Sequence, residues 1–210
     1  MAAVIPLPQT SKWAKRDNQP PVRQPNQASR TREYLTPDEV ERKMTAARRS
    51  TGRLAERDVL LIMMAYRHGL RASELIALRW DQIDLKAGTL HVSRIKHGSP
   101  SAHPMRGPEL RALRAWRREQ PETAPYVFTS LRGGPMTRRT VHPVVAGAGK
   151  AACIEFPVHP HQLRHACGFY LANNGHDTRA IQQYLGHKNI QHTVRYTELS
   201  SQRFKDFWRD

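Results

Sequence analysis

The chain has 210 residues, 39% of them hydrophobic, and a formal net charge of +16. That length supports one sizeable domain plus a tail, and the longest apolar run, Val59 to Tyr66, is too short to cross a bilayer. Cys153 and Cys167 make no disulfide framework, and the N-terminus lacks the charged, apolar and small-residue order of a signal peptide, so a cytoplasmic protein is expected. Lys12, Lys15, Arg16, Arg23 and Arg30 against Asp17 supply only a small part of the charge. Most of it therefore belongs to the part expected to fold, and a basic folded domain points to a polyanion, with nucleic acid first.

Residues 1–33 are rich in Pro, Gln, Arg and Asn and are predicted to be a disordered basic arm. A DNA-tracking arm and a mere leader both fit. Order is predicted from Thr36-Pro-Asp-Glu39, where Thr36 caps, Pro37 suits the first helical position and Glu39 closes a capping box. Helices are expected to about Arg49, from Leu54 to His68 with Gly69 at the exit, and over Ala72–Leu78. Leu90 and Val92 alternate with His91 and Ser93, so Ile83–Met105 is predicted as a small antiparallel sheet of about three strands with turns at Ala87-Gly88 and His97-Gly98-Ser99. Helices return over Pro108–Glu119, Thr137–Ala146, His161–Asn173, Thr178–Leu185 and Ile190–Tyr196, with Asp177 and Asn189 as caps and Gly186 as a break. A final amphipathic piece, 201–210, carries Phe204, Phe207 and Trp208. The expected fold class is α+β, mainly helical.

His161 and Arg164 share a helix face just after Pro160, where free backbone N–H groups favour an anion. An imidazole beside a guanidinium there makes a phosphate site with a proton shuttle, although an ordinary basic surface helix has the same pattern. His165 points about a third of a turn away and has a supporting role. Arg71 and Glu74 have the same spacing, which fits an oriented guanidinium or a plain ion pair. Lys96, on a predicted turn, is a solvated charge or a swinging acid. Tyr196 is a nucleophile only if cations and a base surround it. Zinc is disfavoured: no carboxylate joins His159, His161, His165 and His187, and Arg164 would repel a cation.

Taken in order, Arg71, Lys96, His161-x-x-Arg164, His187 and Tyr196 resemble the catalytic signature of the tyrosine recombinases, the phage-integrase family. The surrounding blocks agree: Gly69-Leu-Arg-Ala-Ser-Glu-Leu75, His161-Gln-Leu-Arg-His165, Leu185-Gly-His-Lys-Asn-Ile190 and Thr193-Val-Arg-Tyr-Thr197. The resemblance covers residues 34–200, so 34–210 is expected to be the catalytic domain with a C-terminal tail. Most of the family carries a helical core-binding domain ahead of the catalytic one. Here only residues 1–33 precede it, as in the short fimbrial phase-variation recombinases that invert a DNA segment.

The resemblance implies a site-specific recombinase that needs neither metal nor other cofactor. Tyr196 would attack a phosphodiester and form a 3′-phosphotyrosine. Arg71 and Arg164 would hold the non-bridging oxygens. Lys96 would protonate the leaving 5′ oxygen and His161 would take the tyrosine proton. His187 would donate to the phosphate, and Glu74 would support the pocket. It implies double-stranded recombination sites as partner, a homo-tetramer on two sites and DNA-bending accessory proteins, with no membrane. Inversion, integration, excision and dimer resolution stay open, as does docking of the tail in cis or trans. A type IB topoisomerase and a catalytically silent DNA-binding regulator are the rival readings.

Overall fold

The computed structural model describes residues 34–50, 52, 54–94, 100–130, 132–198 and 200, all within the unit Arg32–Asp210. The expected arm, Lys96 with its turn, and the tail piece 201–210 lie outside the described residues. The helices are α1 (Pro37–Arg48), α2 (Ala55–Arg67), α3 (Ala72–Ile76), α4 (Gly107–Arg118), α5 (Arg138–Ala151), α6 (Pro160–Asn173), α7 (Thr178–Leu185) and α8 (Gln191–Glu198). Between α3 and α4 stand a short 3₁₀ turn, Trp80–Gln82, and the strands β1 (Ile83–Asp84), β2 (Thr89–Val92) and β3 (Ser101–Pro104). The mixed, mainly helical class expected from sequence is the one observed.

Local chemistry starts and stops these elements where the sequence signals it. The Glu39 N–H donates to Thr36 Oγ1 at 3.3 Å and the Thr36 N–H donates to Glu39 Oε2 at 2.8 Å, so the capping box forms with Pro37 in the first turn. Asp177 accepts from the N–H groups of Arg179 and Ala180, both at 2.9 Å, and opens α7. Gly186 closes it in the left-handed conformation, φ 65°. In the antiparallel sheet, of order β1-β2-β3, Leu90 pairs with Ile83 on one side and His103 on the other, which turns Leu90 and Val92 inward and leaves His91 exposed.

Helix α2 is the centre. Every side chain from Val59 to Ala65 is buried, and a helix that is apolar on all sides must be enclosed. It packs against α1, α3, α4 and α6. A smaller cluster of Cys167, Phe169, Ala172, Ile181, Leu185 and Tyr196 joins α6, α7 and α8. Among the described residues no helix is long and apolar enough to cross a membrane.

Three boundaries differ from expectation by two residues or more: α8 runs on to Glu198 instead of ending at Tyr196, and α5 and α3 end elsewhere. Helix α5 runs on to Ala151 instead of ending near Ala146, because Val145, Ala148 and Gly149 continue its buried face. That packing outweighs the weak helix propensity of Gly147 and Gly149. Helix α3 stops at Ile76, two residues early, and the Leu78 N–H donates to the Leu75 carbonyl at 3.1 Å, three residues back instead of four, which tightens the chain out of the α-helical ladder.

Lys43 sits on the buried face of α1 with Val40, Met44 and Ala47. It is 0% exposed, and its Nζ has no hydrogen-bond partner among the described residues. Burial lowers its pKa from 10.5 to about 7. Between those values the unfolded chain holds a proton that the folded chain lacks, so stability rises with pH. Below about 7 both states are charged and the folded state carries the full desolvation cost. Lys43→Met is expected to stabilise the fold most at neutral pH and below. Its advantage should shrink by about 1.4 kcal/mol for each pH unit above that. Urea unfolding of both chains across this range checks it; a difference that ignores pH would contradict the buried neutral amine.

Candidate active site

Arg164 projects from the second turn of α6 into the interior and is 1% exposed. Its Nη1 donates to the Gly69 carbonyl at 2.5 Å and its Nη2 to the Leu185 carbonyl at 2.7 Å. Each carbonyl lies two residues before a predicted site residue, Arg71 or His187. One guanidinium therefore ties together the loop ahead of α3 and the turn after α7. Its Nε has no hydrogen-bond partner among the described residues, so a buried cation keeps a donor in reserve. Burial first, then the charges of Arg71 and Arg94, lower its pKa to about 10, and it remains a cation at neutral pH.

Arg71 caps α3, and Glu74 reaches back to it. The Arg71 N–H donates to Glu74 Oε2 at 2.9 Å and Arg71 Nη1 donates to Oε1 at 2.8 Å. The same carboxylate receives a third donor, Arg94 Nη1, at 2.8 Å on Oε2. Glu74 and Arg94 are 5% and 8% exposed, whereas Arg71 is half-buried. The Arg71–Glu74 pair suggested by sequence is thus a buried bridge between two arginines.

Tyr196, on α8, is 1% exposed, and its hydroxyl lies 2.8 Å from His165 Nδ1. The ring packs edge-on against Phe169 at 5.1 Å. A Cβ on Gly168 would stand 2.5 Å from the tyrosine ring, so only glycine lets α8 approach α6 this closely. His161 is exposed and meets His165 edge-on at 4.5 Å between ring centroids. Sequence spacing treats His165 as the supporting neighbour. The structure sets its ring nitrogen on the tyrosine hydroxyl and holds it neutral, because burial first, then His161 and Arg195, push its pKa down to about 3.

His187 follows Gly186, and its Nδ1 lies 2.9 Å from Thr193 Oγ1. Its ring stacks at 6.1 Å from that of Tyr196. Burial, then Arg164 and Arg71, push its pKa down to about 3, so it is neutral. The structure therefore gathers Arg71, Glu74, His161, Arg164, His165, His187 and Tyr196, while Lys96 lies outside the described residues. No group of three or more His, Cys, Asp or Glu among the described residues is arranged to hold a metal ion.

Sequence reasoning missed three contributors, and each carried a signal. Arg94 continues the inward alternation of Leu90 and Val92, so an arginine occupies a buried register position. Gly168 stands in mid-helix among apolar residues, a sign of close approach. Thr193 lies three residues before Tyr196, on the same face of α8.

A mainly helical domain with a small sheet, carrying a buried arginine, a carboxylate-held arginine and a covered tyrosine, has the form of a tyrosine recombinase catalytic domain. The chain belongs to the phage integrase family, which matches residues 33–203, and it is a site-specific tyrosine recombinase. It is 42% identical over 182 residues to the type 1 fimbriae regulatory protein FimE of Escherichia coli (strain K12), covering 84% of this chain and 91% of that one. It is 30% identical over 194 residues to the tyrosine recombinase XerD of Listeria innocua serovar 6a, covering 90% of this chain and 65% of that one. Among solved structures it is similar to the XerA recombinase, with a TM-score of 0.71 and 28% identity over 83% of this chain, and it spans 63% of that one.

Thr193→Val keeps the shape of the side chain and removes the hydroxyl that meets His187. With the threonine hydroxyl donating to Nδ1, His187 carries its proton on Nε2, free to donate elsewhere. The variant is expected to lose about 1 kcal/mol of stability and to populate both ring tautomers. Imidazole ¹⁵N shifts of His187 check this; an unchanged tautomer would remove Thr193 from the site.

Proposed function

We propose that this chain cuts and rejoins double-stranded DNA at its recombination sites through Tyr196. The observation that carries the reading is the buried Arg164 cation, which has an unused Nε and lies beside the Glu74-held Arg71. Two guanidinium groups at fixed positions suit the two non-bridging oxygens of a phosphodiester, and their planar forks suit it better than lysine would.

In the cleavage step the Tyr196 oxygen bonds to phosphorus, and the bond from phosphorus to the 5′ oxygen breaks. Arg71 and Arg164 hold the charge that grows on the non-bridging oxygens, and neutral His187 donates an N–H to one of them. The tyrosine proton leaves through the two imidazoles beside it. His165 receives the hydrogen bond, and His161 is the acceptor toward solvent. Lys96 protonates the departing 5′ oxygen. A 5′-hydroxyl from a partner strand then attacks the phosphotyrosine and restores the proton to Tyr196, so no net bond energy is needed. Because Tyr196 and Arg164 are both 1% exposed, DNA binding must open the cover over the pair before a phosphate meets them.

The likeness to the fimbrial proteins favours inversion of a DNA segment as the outcome. We assign 34–210 as the catalytic domain with its tail and 1–33 as a basic arm that tracks DNA. Assembly is as a homo-tetramer on two sites, with DNA-bending accessory proteins, in the bacterial cytoplasm.

Tyr196→Phe is expected to bind DNA but form no covalent adduct. Expression of tagged wild type and variant in the host, denaturation and sequencing of attached DNA test this, and adduct from the variant would sink the nucleophile assignment. Arg164→Ala is expected to slow single-turnover cleavage roughly 100- to 1,000-fold, well beyond its loss of DNA affinity. Equal losses would make Arg164 a backbone anchor only. Affinity is expected to fall steeply with salt as counterions are released; a flat dependence would contradict the basic DNA-binding face.

A further inference from the structure

Arg94 is a buried arginine beside Glu74 that the recombination chemistry above leaves without a role. It extends from the end of β2, and three parts of the site converge on it. Its Nη1 donates to Glu74 Oε2 at 2.8 Å and its Nη2 donates to the Tyr184 carbonyl. Its Nε lies against Gly186, where a Cβ would stand 2.7 Å away and the backbone has φ 65°. Burying a guanidinium is costly, and burial is the main cause that lowers the Arg94 pKa. The cost is offset only if the contacts matter.

The stoichiometry shows what they do. Glu74 alone with Arg71 would form a neutral pair, and Arg71 would bring little net charge to an anion. With Arg94 on the other oxygen, one carboxylate is shared by two guanidinium groups, and nearby Arg164 is a third. The cluster then keeps two positive charges in excess of its carboxylate, a match for the two negative charges present when the tyrosine oxygen adds to the phosphodiester. Arg94 also pins Oε2, so that Oε1 faces Arg71 in one orientation. Through Tyr184 and Gly186 it sets the turn that leads to His187.

We propose that Arg94 is a positioning residue for the phosphate site: it fixes Glu74, and so the orientation and net charge of Arg71, and it seats the Gly186 turn ahead of His187. This rests on the recombinase reading above. Arg94 touches no reacting atom in this scheme and acts through Arg71 and His187.

The test uses the full chain and a nicked duplex carrying a site recovered by covalent capture with wild type. Arg94→Met is expected to cut the single-turnover cleavage rate at saturating DNA by about tenfold to hundredfold, the range of one charge-assisted hydrogen bond, with DNA affinity changed less than about twofold. The same duplex with a methylphosphonate at the scissile position removes the phosphate charge that Arg71 must balance. On it the deficit is expected to shrink to within about threefold. A loss of the same size on both substrates, or a fall in affinity equal to the fall in rate, would mean that Arg94 only supports the fold and would overturn the proposal. If Arg94→Met does not fold, Arg94→Lys serves. It keeps the charge but not the fork that spans Glu74 and Tyr184, and an undiminished cleavage rate in that variant would equally overturn the proposal. Absence of adduct from wild type on this duplex would instead bring down the recombinase reading, and this proposal with it.

Discussion

The placement of Arg164 is the constraint on which the rest of the site depends. A guanidinium that is 1% exposed needs partners for its donors, and no carboxylate among the described residues meets its Nη1 or Nη2. The Gly69 and Leu185 carbonyls do so instead. Carbonyls are fixed by the backbone, so satisfying this one cation sets the distance between the loop ahead of α3 and the turn after α7. Arg71 and His187 follow their carbonyls by two residues and have little freedom left. The fold itself therefore brings Arg71 and His187 toward Arg164.

That arrangement needs backbone to approach backbone and ring. Gly168 lets the Tyr196 ring lie on α6, and Gly186 turns the chain with φ 65° beside Arg94. A methyl group at Gly168 would meet the ring at 2.5 Å and would displace the hydroxyl that now meets His165. The smaller apolar cluster around Phe169, Ile181 and Leu185 supplies the packing that holds α7 and α8 against α6. The helix that carries Tyr196 thus rests on a cluster separate from the main core around α2.

Much of this was legible in the chain itself. Capping residues Thr36 and Asp177 and the break at Gly186 mark element ends by chemistry that acts over a few residues, and such signals survive folding. The Arg71–Glu74 spacing showed the pair, but not that a third partner shares the carboxylate, because Arg94 lies 20 residues away, just past the end of β2. His165 was assigned by helical angle to a supporting role. Helical angle says where a side chain leaves its own helix, not which hydroxyl another helix brings to it. The end of α5 lies past the expected Ala146 for a related reason: Gly147 and Gly149 have weak helix propensity, while burial of Val145 and Ala148 keeps the helix going.

The imidazoles are neutral chiefly because they are buried, and the same cations add to the effect. His165 and His187 are each pushed down to about 3, by burial first. Arg164 adds to both shifts and Arg71 to that of His187. Both rings are therefore neutral across the physiological range. A neutral ring can accept a proton from a hydroxyl or donate one N–H, and a protonated ring can do only the latter. The arginines carry a fixed positive charge that suits an anion, and beside them the two imidazoles rest neutral. The two residue types differ because a guanidinium cannot lose its charge near neutral pH, whereas a buried imidazole beside cations sheds its own.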